Sequence, residues 1–198
     1  MDNYKSFHEL NKTEKAGRDY RIQWRIGNSG IAIMAPHGGE IEPGTTEIAD
    51  AIAGGQHSFY SFEGLKSQGN LKLHIPSSKF DEPVGIDIAR QSRKVLTVHG
   101  CRDPKAIVHI GGKDSGLKAK IKAGLRRAGF AVLESRRYAG MHSNNICNRS
   151  RTGQGVQLEI SLGLRRQMFP ALARRRRQRV TLTFHQLAAA VKQALCEG

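Results

Sequence analysis

Short apolar runs that end at proline, histidine or glycine recur along this chain and predict buried strands. The clearest are residues 31–35, which end at Pro36, and residues 95–98, which are followed by His99 and Gly100. A continuous apolar run of about four to eight residues is typical of a strand that is covered on both faces. Weaker runs predict further strands over residues 106–110, 131–133 and 156–160.

Apolar residues at every fourth position predict an amphipathic helix over residues 117–127. Leu117, Ile121 and Leu125 lie on one face, lysine and arginine occupy the others, and Gly129 ends the segment. Spacing and capping residues predict three more helices: one from Thr45 or Thr46 to Ala53, one around residues 86–93, and one over residues 184–196 that Thr183 caps.

Strands that alternate with helices predict an α/β fold, in which a sheet lies between two helical layers as a three-layer sandwich. We expect a mixed sheet, because residues 57–63 and 71–75 alternate like the two strands of a hairpin. The length of 198 residues fits one domain over 1–198. Within it, residues 1–20 form a polar helix or arm, and residues 166–198 form a basic helical segment. We expect a monomer.

The composition excludes several classes of protein. The sequence contains no run of about 18 apolar residues, so no membrane span is predicted. Residues 1–5 are not part of an apolar stretch of the kind found in a secretory signal peptide, so none is predicted. The three cysteines include no CxxC pair, so neither a disulfide framework nor a thiolate zinc site is predicted. We therefore expect synthesis in the cytoplasm and no membrane partner.

The charge indicates a polyanionic partner. Lysine and arginine number 32 against 17 acidic residues, which gives a net charge of +15. Such a surface attracts nucleic acid or an acidic polymer. Nucleic acid is the second choice, because aromatic residues make up only 6% of the chain and no helix-turn-helix is evident. The four arginines at 174–177 are either a solvated surface run or a polyanion contact.

Histidine follows two of the predicted strands, at the strand ends where α/β sheets place their sites. His37 follows the first strand, Glu42 comes five residues later across two glycines, and His99 follows the second strand. Two histidines and one carboxylate are the ligand set of a catalytic zinc site with an open position. The alternative is that both histidines bind loop backbone and that Glu42 is a surface charge. HExxH and PCxxC zinc motifs are absent from the sequence.

Glu159 interrupts an otherwise apolar strand. A carboxylate at such a position is buried with a partner, is placed for proton transfer, or faces outward to solvent. The strand pattern leaves these alternatives open.

A polar loop further along the chain has the composition of a carboxylate-binding site. It contains His142, Asn145, Asn148 and Arg149, and guanidinium binds carboxylate through two parallel hydrogen bonds. The alternative is a loop held by Asx turns, with Arg149 solvated. Arg165 is open to the same two interpretations.

Taken in order, these motifs resemble the phage-encoded poly-γ-glutamate hydrolase family. The matching stretches span about residues 31–165. They are APHGGEIEPGTTEIADAIAG, HSFYSFEG, LHIPSSKFDEP, VHGC, VHIGG, and the run from GMHSNNICNR to GVQLEISLGLR.

The resemblance implies a zinc-carboxypeptidase-like fold and a single catalytic domain that hydrolyses the γ-glutamyl amide bonds of poly-γ-glutamate. It implies zinc held by His37, Glu42 and His99. Glu159 falls where such enzymes carry the base that activates water. The family is phage or prophage encoded, which implies release of the enzyme on host lysis.

The resemblance also implies substrate contacts. Asn148 and Arg149 resemble the Asn-Arg pair by which zinc carboxypeptidases hold a substrate carboxylate, and His142 and Arg165 match family positions. We expect Arg102 or Arg149 to stabilise the oxyanion that forms during hydrolysis. The arginine-rich residues 166–180 match nothing in the family pattern. They leave room for nucleic acid as a partner, and a zinc amidase for another acidic peptide is the second alternative.

Overall fold

A seven-stranded mixed sheet forms the centre of the computed structural model, which describes residues 3–196. The strands are β1 (Tyr20–Arg25), β2 (Ile31–Gly39), β3 (Ser58–Gly64), β4 (Lys94–Cys101), β5 (Val108–Gly111), β6 (Val132–Leu133) and β7 (Val156–Ser161). They are arranged in the order β1-β3-β2-β4-β7-β5-β6. The central strands β3, β2, β4 and β7 are parallel, whereas β1 and β5 run antiparallel to β3 and β7.

Helices cover both faces of this sheet, which confirms the predicted α/β fold. They are α1 (Phe7–Leu10), α2 (Thr45–Ala53), α3 (Pro83–Gln91), α4 (Ser115–Arg127), α5 (Leu162–Met168) and α6 (Leu182–Cys196). Buried side chains of α2, α4, α5 and α6 pack on one face, and those of α1 and α3 pack on the other. Among the helices of residues 3–196, none combines the length and the apolarity that crossing a bilayer requires.

Neither α2 nor α6 is capped by the threonine that was predicted to cap it. Gly44 precedes α2 with a φ of 101°, and an added Cβ there would lie 2.8 Å from the Phe169 ring. Thr45 instead donates its hydroxyl to the Glu42 carbonyl at 2.9 Å. Thr183 lies inside α6, which begins one residue earlier at Leu182.

The predicted hairpin over residues 57–75 is wrong, although its first half is β3. Residues Asn70–Leu73 form a 3-10 turn, and β3 pairs with β1 and β2 instead. The side chain of Asn70 explains the difference, because it accepts from the Lys66 amide at 2.9 Å and donates to the Lys66 carbonyl at 2.7 Å. This local closure takes the place of strand pairing. The sheet is mixed because of β1 and β5.

The N-terminal segment packs on the core more closely than an arm would. Leu10 and Tyr20 are buried, and Tyr4 and Phe7 pack against the same apolar cluster.

The edge strand β1 was not predicted, although Tyr20, Ile22 and Trp24 alternate with polar residues as in a partly exposed strand. It lacks the continuous apolar run that marked its neighbours, and Trp24 remains 55% exposed.

The arginine run at 174–177 is not purely a solvated surface run, and its contact with a polyanion stays a prediction. Three of its residues are exposed, but the Arg177 side chain is buried. Its guanidinium donates to Glu40 at 2.5 Å and to Glu47 at 2.8 Å. Burial alone would lower the pKa of Arg177, and these two carboxylates more than reverse that effect. The run therefore joins the C-terminal segment to both ends of the loop between β2 and α2.

Arg177→Gln is expected to lower the free energy of unfolding by about 1–3 kcal/mol, because the partly buried carboxylates of Glu40 and Glu47 lose a charged hydrogen-bond donor. Urea denaturation measures this change. Arg175→Gln in the same run is the matched control and is expected to stay within about 0.5 kcal/mol of the parent. Equal unfolding midpoints for the two variants would show that the buried ion pairs contribute nothing.

Candidate active site

Three neighbouring parallel strands bring the predicted site residues to one edge of the sheet. His37 lies near the end of β2, His99 near the end of β4, and Glu159 near the end of β7. Glu159 is the direct register partner of His99. Because the residues flanking His99 and Glu159 point into the core beneath α2, α4, α5 and α6, both side chains face the opposite side of the sheet.

Glu42 joins the two histidines in a compact cluster. The Nδ1 atoms of His37 and His99 lie 3.1 Å apart. Glu42 places one carboxylate oxygen 3.3 Å from the first of these nitrogens and the other 3.8 Å from the second. The structure therefore brings together the three residues whose spacing predicted a metal site, and their ligand atoms all lie within 4.8 Å of one another.

Backbone groups fix the orientation of this cluster. His37 Nε2 lies 2.7 Å from the carbonyl oxygen of Ile75. Since a carbonyl only accepts, Nε2 carries the proton and Nδ1 presents its lone pair to the cluster. Glu42 accepts a hydrogen bond of 2.8 Å from the Gly100 amide. The loop after β2 is thereby tied to the end of β4.

The cluster fits a cation. Two imidazole nitrogens lie 3.1 Å apart beside a carboxylate, so either a proton shared between the rings or a cation must lie between their lone pairs. Burial alone would raise the pKa of Glu42, but His37 and His99 hold it well below its usual range. Burial would likewise lower the pKa of His99, and the nearby carboxylates Glu42 and Glu159 raise it instead. A divalent metal that takes nitrogen and oxygen ligands would supply a positive charge among the three side chains of the cluster.

Glu159 stands beside this cluster with the properties of a proton carrier. The side chain is half-buried, and burial, the largest influence, raises its pKa to about 7. A carboxyl group with a pKa near the working pH can both accept and return a proton. The sequence left open that the Glu159 side chain faces outward to solvent, and this alternative does not fit such an environment.

A cleft of about 1200 Å³ opens over Glu42 and Glu159. The predicted substrate residues Arg102 and Arg165 line it. The fold adds polar residues that were not predicted from sequence, among them Lys72, His74, Arg137 and Tyr138. His74 stacks on His37 with ring centroids 3.9 Å apart. No local pattern marks these residues, because loops distant in sequence bring them to the cleft.

The side-chain amide of Asn148 is hydrogen-bonded within its own loop. Its nitrogen donates to the carbonyls of Gly140 and His142 at 2.7 and 3.0 Å. Its oxygen accepts from the backbone amides of Lys113 and Gly155 at 3.3 and 3.2 Å. Both amide hydrogens are thus used inside the loop, and a contact with a substrate carboxylate stays a prediction.

His142 and Arg149 also bind within this loop. His142 Nδ1 accepts from the Asn144 amide at 3.0 Å, and Arg149 Nε donates to the Asn144 carbonyl at 3.3 Å. Asn145 accepts from the Cys147 amide at 3.1 Å, which is an Asx turn. Neither His142 nor Arg149 is among the described residues that line the cleft. The alternative interpretation of the loop fits these contacts better.

Arg165 lies beneath the cleft with only 4% of its surface exposed. Its guanidinium donates to the backbone carbonyls of Pro43, Cys101 and Ile160 at 2.7, 2.9 and 3.1 Å. Three of its five donors are therefore bound to backbone. Two donors remain beside the cleft, so the expected substrate contact stays a prediction.

An α/β sheet that carries two histidines, a carboxylate and a second acidic group at one edge defines the class of metal-dependent hydrolases. A family model described as poly-gamma-glutamate hydrolase matches residues 4–190. The chain belongs to this family.

Relatives and solved structures agree with this assignment. The UPF0714 protein YndL of Bacillus subtilis (strain 168) is 39% identical over 171 residues, which cover 85% of this chain and 67% of YndL. The SPbeta prophage-derived UPF0714 protein YoqZ of the same organism is also 39% identical over 171 residues, covering 85% of this chain. The chain spans only 62% of the length of YoqZ.

Two solved structures share the fold along nearly their whole length. One, described as the structure of bacteriophage poly-gamma-glutamate hydrolase, has a TM-score of 0.96 and 33% identity, and the match covers 100% of this chain and 98% of that one. The other, described as YNDL-apo (Zinc-free), has a TM-score of 0.94 and 33% identity, and covers 99% and 98% respectively. The similarity supports a hydrolase with a metal site.

Adding Zn²⁺ is expected to raise the thermal unfolding midpoint of the protein, because an ion that binds only the folded state stabilises it. At about one hundred times the dissociation constant the gain is about 2.7 kcal/mol. His99→Ala removes one ligand and is expected to lose most of this gain. Differential scanning calorimetry with and without zinc measures it.

His185→Ala serves as the control, because His185 is exposed on α6. This variant is expected to respond to zinc like the parent chain. If His99→Ala responds equally well, the ion binds elsewhere.

Proposed function

We propose that this chain is a zinc-dependent hydrolase that cleaves the γ-glutamyl amide bonds of poly-γ-glutamate. The observation that carries the proposal is the cluster of His37, Glu42 and His99, with Glu159 beside it at one cleft, in a chain of this family. We further propose a phage or prophage origin, action as a single monomeric catalytic domain, and release on host lysis.

The zinc ligands would be His37 and His99 through Nδ1, and Glu42 through its carboxylate. When bound there, zinc supplies a Lewis acid that polarises the scissile carbonyl and lowers the pKa of a water molecule toward about 7. The tautomer set by the Ile75 carbonyl leaves the His37 nitrogen ready for this purpose. Zinc binding is supported by the nitrogen lone pairs of the two histidines and the negative charge of Glu42, which lie close together in this cluster.

Glu159 acts as the general base in this proposal. It takes a proton from the water that attacks the amide carbon, and it returns that proton to the nitrogen as the C–N bond breaks. The products are a carboxylic acid and a free amine, so the proton is conserved. A pKa near 7 suits both transfers.

Exposed cations on the cleft wall would hold the polymer. Poly-γ-glutamate carries one free carboxylate per residue, and Lys72, Arg102 and Arg137 line the cleft with exposed side chains. Their spacing around the cleft would set the register of the bond to be cleaved. We propose Arg102 as the cation that stabilises the developing oxyanion. We keep Arg149 and His142 as predicted substrate contacts, since Nε is the only side-chain nitrogen of Arg149 that binds another of the described residues.

Glu159→Gln is expected to lower kcat by about 10² to 10⁴, because the amide cannot accept the proton. Zinc content is expected to stay the same, since Glu159 is not among the ligands. Chain-length analysis of treated polymer and metal analysis of the purified variant measure the two quantities. Glu134→Gln, at an exposed position, is the control. Full turnover in Glu159→Gln would remove the assigned base.

Arg137→Ala is expected to raise KM for poly-γ-glutamate roughly two- to fivefold and to leave kcat nearly unchanged, since it removes one exposed ion pair with the substrate. The difference from the parent is expected to shrink as salt rises, because ions screen exposed charges. Steady-state kinetics at two salt concentrations measures both effects.

Arg136→Ala is the matched control, since Arg136 is exposed next to Arg137 but is not a cleft residue. An equal rise in KM for both variants would mean that net charge, rather than the cleft wall, attracts the substrate. A panel of poly-α-glutamate, γ-glutamyl cell-wall peptide and nucleic acid tests the other partners. Cleavage of the peptide alone would favour the amidase alternative.

A further inference from the structure

We propose that Arg165 is a positioning residue that fixes the metal ligands and the general base relative to one another. It does so by binding the backbone of the three chain segments that carry them. The proposal rests on the zinc site proposed above, and it is distinct from the substrate contact first expected of Arg165.

The three backbone acceptors of Arg165 each lie next to a site residue. Pro43, which accepts from Nη1 at 2.7 Å, directly follows the carboxylate ligand. Cys101, which accepts from Nη2 at 2.9 Å, lies two residues after the histidine ligand of β4. Ile160, which accepts from Nε at 3.1 Å, directly follows the general base. One guanidinium therefore joins three segments that are far apart in sequence.

Only arginine has the geometry for this task. Its planar guanidinium presents five donors in a rigid fork, whereas lysine presents its donors from a single nitrogen at the end of a flexible stem. Three carbonyls on separate segments therefore cannot be held by an ammonium group in the same way. The side chain of Arg165 is buried, so water does not easily replace these bonds.

The charge of Arg165 serves the same site. Burial, the largest influence, lowers its pKa, while the nearby carboxylates Glu42 and Glu159 act in the opposite direction. A fixed positive charge beneath two acidic groups reduces the repulsion between them. The charge of Arg165 therefore helps to keep the carboxylates of Glu42 and Glu159 close to the histidines.

Gly100 shows how tightly the guanidinium is packed. A Cβ added at this glycine would lie 2.7 Å from Cζ of Arg165 and 3.0 Å from both terminal nitrogens. These atoms are the far end of a long side chain, so Gly100→Ala would displace the guanidinium and spare the backbone. The amide of Gly100 that binds Glu42 would be retained. The substitution therefore offers a way to disturb Arg165 without changing it.

The experiment compares Arg165→Lys with Arg166→Lys, since Arg166 is exposed in the same helix. Zinc affinity is measured by competition with a chromophoric chelator. Loss of a group that orients metal ligands typically costs about 10- to 100-fold in affinity, and we expect this loss for Arg165→Lys and none for Arg166→Lys. The visible absorption spectrum of the cobalt-substituted protein is expected to shift in the first variant alone, because it reports ligand geometry.

Gly100→Ala provides the second arm, and keeps the test decisive if Arg165→Lys does not fold. Gly55→Ala is its control, because nothing lies within 4 Å of a Cβ added at Gly55. We expect Gly100→Ala to weaken zinc binding and Gly55→Ala to leave it unchanged. If both changes act through the same guanidinium, the double variant Gly100→Ala/Arg165→Lys loses little more affinity than either single variant.

The outcomes separate this proposal from the zinc site itself. Failure of the parent chain to bind zinc overturns the proposed function. Parent-like zinc affinity and an unchanged cobalt spectrum in folded Arg165→Lys or Gly100→Ala overturn the positioning role alone. A higher KM with unchanged metal affinity would instead return Arg165 to substrate binding.

Discussion

The close approach of two histidine nitrogens to a buried carboxylate is the constraint on which the rest of the site depends. The two nitrogens lie 3.1 Å apart, so either a proton or a cation must lie between their lone pairs. Holding such groups together without water also requires a rigid frame, because each would otherwise move toward solvent. The ends of β2 and β4 supply part of that frame. The loop that brings Glu42 between them needs support from elsewhere in the chain.

That support comes largely from the C-terminal part of the chain. Arg177 joins Glu40 and Glu47, which lie on either side of the metal-ligand loop. Arg165 holds the middle of the same loop through the Pro43 carbonyl. Both arginines are buried, so part of the large positive charge belongs to the interior. Burial leaves the surface strongly positive, because four acidic residues are buried as well, namely Glu14, Asp19, Glu63 and Glu82.

The parts of the fold and site that local sequence determines were predictable. His37 and His99 follow apolar runs, and parallel strands place such positions at a common edge, so their meeting could be expected. Glu159 could be singled out from the sequence, because burying a carboxylate in an apolar strand is energetically unfavourable. The edge strand β1 lacks an apolar run, and its only signal is the alternation of Tyr20, Ile22 and Trp24 with polar residues.

Sequence was least informative about where a polar side chain points. Asn70 and Asn148 use their amides to close their own loops, and neither composition nor resemblance reveals that use. Arg137 and Lys72 reach the cleft through tertiary packing of distant segments. The identity of a polar residue thus says less about its role than its surroundings do, because a donor bound to backbone is no longer available to a ligand.

Burial divides the arginines of this chain into two groups with different physics. Arg165 and Arg177 lie inside, where ions in solution hardly weaken their contacts, whereas Arg102 and Arg137 face solvent, where salt screens them within about 10 Å at moderate ionic strength. A charged polymer must bind reversibly and slide past the site, which suits weak and screened contacts. A metal centre must keep its geometry at every ionic strength, which suits buried ones. The same residue type can therefore frame the site and attract the substrate without either task disturbing the other.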